Sequence, residues 1–427
     1  MPEIVVTFGL TTPAFAGGAG GQSTLYQSPR GPEDRPQKCT DGLRPPTIKA
    51  LLRFWWRASQ PSLSPTALEK AEAEIFGAAG RYNKRGRIIR GQRLVIVPKG
   101  CPTKVDVTDL NEPLPENDLA YLAYGPVQFG QPVGEQTRGN LLLTQRLGEG
   151  NTLTATLRFS SHKDDILKAL WLLSAFGGVG SRNRRGWGGL QLGGDDLIRE
   201  WRDLGLDDPH GARDRDALKV LLAHGLGTLF GPRSAMFAGV PEHTAFTKET
   251  RLFLGQARGT WVGAMNALKT TYEQYRRALG AWRNHETGAV GPDHALRTGW
   301  IRRMPWSTDP APKGAAFGLP LGAKFTAGPQ VNTGVGADLN GRRASPVFFH
   351  VIRCGGKFVP LVLWLPARFL GPNSEVHVEG PHGTASVQDP SDEAITEFLD
   401  GDPTLTCYPG GARWTGLAVP TWQEVGW

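Results

Sequence analysis

Three observations predict an α+β fold. Period-two and helical stretches alternate along the chain in the order strand, helix, strands, helix, strand. A hydrophobic fraction of 39% with 13 tryptophans gives the 427 residues enough apolar surface for packed cores. No fixed-period repeat points to a solenoid. The element order is the split β-α-β arrangement of a ferredoxin-like or RRM-like domain. The length calls for more than one domain. The expectation is therefore two ferredoxin-like (RRM-like) βαββαβ domains with helical insertions. The first covers 1–193; the second, 194–427, is a helical segment followed by a degenerate, less basic copy of the same plan.

The first strand is read at Glu3 to Leu10, followed by a loop rich in Gly, Pro and Ser from Thr11 to Thr40. Ile4-Val5-Val6 and Ala14-Phe15-Ala16 resemble a signal peptide weakly, but Glu3 stands where a basic residue is expected, and Thr7, Thr11 and Thr12 break the apolar stretch. Pro45-Pro46-Thr47 opens a helix, because proline's missing N–H is not needed in the first turn. At 100° per residue Ile48, Leu51, Leu52 and Trp55 share one face. Lys49, Arg53 and Arg57 form a stripe on another face with Trp56 at its edge, and no acid stands at i±4 to pair with them. That stripe is expected to be exposed, so reversing Arg53 and Arg57 to glutamate should leave the fold intact, whereas Leu52→Asp should unfold it.

A helix at Thr66 to Phe76 and strands at Arg93 to Val97, Asp118 to Gly125 and Thr152 to Phe159 follow. In the last of these Leu153, Ala155, Leu157 and Phe159 alternate to one side. A helix at Asp164 to Phe176 takes Ser160 or Ser161 as its cap, and its two aspartates favour the positive end. The strand Leu190-Gln191-Leu192 closes the first half. An acidic stretch from Asp195 to Asp216 reads as a solvated linker or helix surface. Beyond it come helices at Ala217 to Leu229 and Thr260 to Trp282. A β-rich section follows at Phe317 to Phe325, Ser345 to Cys354 and Lys357 to Leu365. The last two form a hairpin turning at Gly355-Gly356, and a helix follows at Asp392 to Leu399.

The segment GGVGSRNRRGWGG at 177–189 carries the chemistry. Glycines let backbone N–H groups approach a ligand, arginine forks fit phosphate, and tryptophan offers a face to a base. P-loops and dinucleotide fingerprints run strand, glycine loop, helix. Here the order is helix, loop, strand, without Gly-Lys-Ser or Gly-Lys-Thr, so an ATP or NAD site is excluded by context while a polyanion site survives.

The net charge is +8, and its distribution says more. Arg44 to Arg57 carries four bases and no acid, Arg81 to Lys104 eight and no acid, and the loop three more, together exceeding the whole excess. Such clusters suggest a nucleic acid partner. Cys39, Cys101, Cys354 and Cys407 form no CxxC pair, which argues against a zinc site or a disulfide framework and suits a reducing cytoplasm. No apolar stretch is long enough to span a membrane.

The run Leu43-Arg44-Pro45-Pro46-Thr47-Ile48-Lys49-Ala50-Leu51-Leu52-Arg53-Phe54-Trp55-Trp56-Arg57-Ala58 resembles the opening signature of the RAMP-superfamily subunit numbered one in the Cmr complex, the type III-B CRISPR effector. Residues 12–19 and 74–77 are similar to the same family, and the glycine loop resembles that of RAMP proteins generally. Phe317-Gly318-Leu319-Pro320 and Arg342-Arg343-Ala344-Ser345-Pro346 resemble its second-domain signatures. One departure is Ala50, where the family more often has glycine. The resemblance implies a non-catalytic antiviral subunit near the end of the ribonucleoprotein that holds the 3′ part of the guide RNA. It would contact guide RNA, single-stranded target RNA and other RAMP subunits. The implied RNA contacts are Arg44, Lys49, Arg53, Trp56 and Arg57 on the helix, Gly178, Gly180, Ser181, Arg182, Asn183, Arg184, Arg185 and Trp187 in the loop, and Arg342 and Arg343.

No cofactor, metal or catalytic residue is assigned. Some RAMP relatives cut RNA with a histidine, but the nine histidines here begin at His162 and lack metal-ligand spacing such as HxxxH. His162, at a helix start, reads as structural rather than as a general base. The alternatives are a guide-processing endoribonuclease of the same superfamily and a scaffold that contacts only protein.

Overall fold

The computed structural model describes residues 2–16, 44–78, 81–82, 88–89, 93–103, 107–108, 112–132, 138–143, 145–280, 291–319, 321–324, 330–339, 341–370, 374–406, 413–417 and 421–427. The chain is α+β, with helices packed on several small sheets. In the first half a four-stranded antiparallel sheet runs Leu190–Gly193, Glu3–Leu10, Thr152–Phe159, Leu94–Thr103 across its width. Alternation decides which face packs. Ile4, Val6, Phe8 and Leu10 point to the core, opposite Leu153, Ala155, Leu157 and Phe159 of the neighbouring strand.

Helices α1 (Pro45–Ala58), α2 (Pro65–Phe76) and α3 (Lys163–Phe176) accompany that sheet. Ile48, Leu52 and Trp55 of α1 are buried, as expected. Every residue of α3 from Leu170 to Phe176 is buried, so this stretch has no solvent face and lies between the two halves. The helix begins at His162, a left-handed residue without a side-chain cap, and not at Ser160 or Ser161; the Ser161 hydroxyl is buried without a partner. Glu72 and Glu200 reach α1 and α3 from neighbouring helices, a kind of pairing that spacing along one helix cannot reveal.

Of the two readings of the acidic stretch, the structure shows the helix surface. Asp195 and Asp196 occupy the first turn of α4 (Asp195–Asp203), where the helix dipole favours them. Asp214 caps α5 (Arg215–Phe230) by accepting from the Ala217 N–H at 2.8 Å. In the second half α6 (Trp261–Gly280) is followed by α7 (Pro292–Arg302), a helix absent from the sequence reading. The hairpin of Val347–Cys354 with Lys357–Trp364 turns at Gly355-Gly356. Both glycines have positive φ, 53° and 73°, as a two-residue primed turn requires. Of the strand expected over 317–325, Phe317 ends a short 3-10 helix, and among the described residues the extended part is Leu321–Lys324. Helix α8 (Glu393–Asp400) and the strand Trp422–Glu424 follow.

The second main sheet runs Trp422–Glu424, Arg251–Gly255, Lys357–Trp364, Val347–Cys354. Numbered by appearance in each half, both sheets have the order 4-1-3-2, with a helix after the first strand and another after the third. One apolar cluster contains Phe8 and Leu170 together with Leu252, Phe348 and Leu363; a second contains Phe15 and Trp187 together with Met265 and Phe349. The halves therefore share their cores.

Candidate nucleic-acid interface

The glycine loop closes on itself first. The Gly178–Gly189 pair forms an antiparallel bridge, and the Val179 N–H donates to Gly188 O at 2.8 Å. The Ser181 N–H donates to Phe15 O at 3.0 Å, the Gly188 N–H to Pro13 O at 2.7 Å, and the Gly189 N–H to the Thr12 hydroxyl at 2.8 Å. Asn183 Nδ2 donates to Gly178 O at 2.9 Å. These amides are committed within the protein and do not face a ligand, contrary to the expected backbone cradle. Gly180, Gly186 and Gly188 all have positive φ. A Cβ on Gly188 would stand 1.9 Å from Val179 O.

The three loop arginines diverge. Arg184 turns inward: its Nη1 donates to Ser345 O, and its guanidinium lies 5.1 Å from the Phe54 ring centroid and 4.5 Å from that of Phe348. Burial, then Arg343 and Arg185, push its pKa down to about 10. Arg185 stacks over Tyr272 at 4.4 Å and donates to Phe317 O at 3.1 Å. Both reach into the second half, where the Phe349 N–H also donates to Arg184 O at 3.0 Å. Arg182 remains exposed and adopts the left-handed conformation at φ 65°. Its pKa is lowered by partial burial and by Arg185 and Arg342 nearby.

Two expected stacking faces lie inside the protein. Trp187 is fully buried against Phe15, at 4.7 Å between centroids, and against Trp261 at 6.3 Å. Trp56 is buried edge-on to Phe76. Volume decides this: an indole beside two half-cores gains more by filling them than by waiting in water. The basic stripe of α1 is likewise occupied. Lys49 Nζ donates to Leu94 O at 3.1 Å, and burial with Arg53 alongside lowers its pKa. Arg53 donates to Gly77 O and lies 3.5 Å from Glu72, while Arg57 lies 3.1 Å from the same carboxylate. The expectation of an unpaired stripe is corrected, because α2 supplies the acid. Arg44, at the N-cap, is half-buried.

Of the pair at 342–343, Arg342 is exposed. Arg343 donates to Phe369 O at 2.6 Å and to Ala344 O, and burial lowers its pKa. Of the eight bases in 81–104, Lys84, Arg85, Arg87, Arg90 and Lys104 lie outside the described residues. Among the loop arginines and this pair, the cations left facing outward are thus Arg182 and Arg342.

Beside them stands a feature that sequence reasoning missed. Residues 118–125, expected as a strand, form a 3-10 helix at Asn117–Ala123. Its buried residues, Leu119, Ala120, Leu122 and Ala123, recur at three, a helical and not an alternating spacing. Tyr121 and Tyr124 then share the outer side. Tyr124 is 71% exposed and stacks on Phe129 at 5.8 Å and 29°. The three-residue spacing of the tyrosines just before Gly125-Pro126 is the signal that could have found it. His162 is exposed, with its Nδ1 3.3 Å from an Asp165 oxygen. Among the described residues no three His, Cys, Asp or Glu side chains gather to hold a metal, and no helix is long and apolar enough to cross a membrane.

Comparison with known proteins agrees with the family resemblance read from 43–58 and 177–189. Residues 7–191 match the RAMP superfamily. The CRISPR system Cmr subunit Cmr1-1 of Pyrococcus furiosus is 24% identical over 327 residues, covering 74% of this chain and 78% of that one. The apo crystal structure of Cmr1 from the same organism covers 87% of this chain and 90% of its own at 17% identity, with a TM-score of 0.46. A chain of the type III-B Cmr-beta complex bound to cognate target RNA covers 88% of this chain and 95% of its own at 10% identity, with a TM-score of 0.43.

Proposed function

We propose that this chain, whose residues 7–191 match the RAMP superfamily, is a non-catalytic RNA-binding subunit of a type III-B CRISPR effector. In that role it contacts guide RNA, target RNA or both near the guide 3′ end, beside other RAMP subunits in the cytoplasm. The likeness to a Cmr subunit over 74% of the chain supports the assembly. The observation that carries the RNA reading is local. Inside the matched segment, Arg182 is held outward in a left-handed conformation with Arg342 beside it, while the other loop arginines are tied inward. A non-glycine residue at positive φ costs stability, and such strain concentrates where a side chain must be presented.

The strand order 4-1-3-2 in both halves supports a reading of two ferredoxin-like domains, 1–193 and 194–427, with α4, α5 and α7 as insertions. The glycine loop acts first as their clasp and presents Arg182 second. Phosphates bound there would exchange condensed counterions for arginine, so affinity should fall steeply with salt.

The test incubates the purified full chain with labelled single-stranded RNA, with and without EDTA, across a salt series. Salt-steep retention of intact RNA is expected. Site-specific cleavage that disappears in His162→Ala would establish the endoribonuclease alternative. Absence of RNA crosslinks at the helix and the loop in an assembled complex would support a protein-only scaffold.

A further inference from the structure

The surface beside the glycine loop has the parts of a base-stacking site. Tyr124 and Phe129 stack at 5.8 Å and 29°, and Tyr124 keeps 71% of its surface in solvent. Isolated exposed aromatics are common and need no ligand. This one is mounted. Leu119, Ala120, Leu122 and Ala123 anchor the preceding 3-10 turn in the core, and Lys269 of α6 donates to Asp118 O at 3.1 Å. Phe129 stands on the strand Val127–Pro132, which pairs with Arg138–Leu142.

The cation beside it is built in as well. Gly125 follows Tyr124 with φ 105°, and a Cβ there would stand 2.4 Å from an Arg182 guanidinium nitrogen. Glycine is required for the backbone angle, and its missing Cβ leaves the room in which Arg182 lies against the turn. Arg182 thereby lies against the turn that carries Tyr124, and Arg342 is near enough to Arg182 to lower its pKa. An aromatic face next to two outward guanidinium groups is the pairing used to hold single-stranded nucleic acid: the ring takes the base and the cations take the backbone. A duplex could offer only its phosphates, because its bases are already stacked.

We propose that Tyr124, backed by Phe129, is a stacking platform for one unpaired base of a single-stranded RNA whose adjacent phosphates lie on Arg182 and Arg342. The assignment rests on the RNA-binding reading above and adds a base-stacking residue to it.

The experiment compares the full chain with Tyr124→Phe, Tyr124→Ala and Arg182→Glu. Its probes are a single-stranded RNA with 2-aminopurine at successive positions and inorganic polyphosphate, which has charge but no base. Parent and Tyr124→Phe should bind the RNA within about twofold and change 2-aminopurine fluorescence at one position; Tyr124→Ala should lose about tenfold in affinity together with that signal. Polyphosphate binding should be unchanged in Tyr124→Ala and weakened in Arg182→Glu. If Tyr124→Ala binds RNA like the parent while Arg182→Glu does not, the platform is refuted, RNA binding stands, and the exposed ring serves a protein neighbour instead. Equal losses on RNA and polyphosphate in Tyr124→Ala would also refute it. If the parent holds no RNA at all, both readings fall.

Discussion

Arg184 lies with its guanidinium 4.5 Å from the Phe348 ring centroid and donates to Ser345 O. A residue of the first half is therefore seated in the second half, 161 positions along the chain from its acceptor. Arg184→Ala should cost ~2–4 kcal/mol, because it removes both the cation–π stacking and a charge-assisted hydrogen bond; urea unfolding measures it. Arg184→Lys should not restore the stability, since a lysine cannot stack and donate as a planar fork. Full rescue by lysine would refute the clasp.

Arg342→Glu combined with Arg182→Glu should leave the melting temperature within about 2 °C of the parent, because both residues are exposed. In the RNA assay the slope of log affinity against log salt should shrink by about 0.7 for each phosphate of the single strand that the protein no longer neutralises. An unchanged slope would show that the phosphates sit elsewhere.

Reversing Arg53 and Arg57 should destabilise the protein, contrary to the expectation from α1 alone. Both lie within 3.5 Å of Glu72, whose side chain is only 14% exposed, so the double glutamate would crowd three carboxylates. Adding Glu72→Lys should recover much of the melting temperature. No recovery would mean that the pairing is incidental.

Gly188→Ala should be among the most damaging single-methyl changes in the chain. The residue has φ 70°, and the added carbon would meet Val179 O at 1.9 Å. Backbone strain of roughly 1–3 kcal/mol is expected before the clash is counted. Circular dichroism melts of Gly188→Ala and Gly193→Ala make the comparison, since a Cβ at Gly193 meets open space. Equal melts would contradict the loop geometry.

Acid should loosen the junction between the halves. Burial, with His210 alongside, pushes His350 from the ordinary 6.5 down to about 3. Between those values the unfolded chain binds a proton that the folded chain does not, so stability rises with pH and falls as the solution is acidified below about 6.5. The slope approaches ~1.4 kcal/mol per pH unit for one such group. His350→Gln should melt with a shallower dependence between about pH 6 and pH 4. An identical slope would place the titration elsewhere; His210, also lowered by burial, is the next candidate.

The strands at 3–10 and 152–159 and the helices at 45–58 and 163–176 were legible because period and composition agree there. What the sequence concealed was destination. Arg182, Arg184 and Arg185 are chemically alike within four positions, yet two are drawn to Phe348 and Tyr272, which no local pattern announces. Glu72 neutralises α1 from a different helix, out of reach of an i±4 count. Trp187 has the look of a base-stacking face because tryptophan suits that task as well as it suits a core. The helix within 118–125 stayed hidden because seven residues of 3-10 helix carry too few turns for the period to stand out.

Because the two sheets share one strand order, the segment after α8 occupies in the second half the place that the glycine loop occupies in the first. Trp414 in that segment is buried against Phe398 at 6.0 Å, as Trp187 is buried against Phe15. Both indoles enter the same apolar cluster. The chain thus reads as a rhyme of two stanzas, each ending on a tryptophan. Only the first carries three arginines, so within one strand order the two corresponding segments differ in charge and not in how their tryptophan is buried.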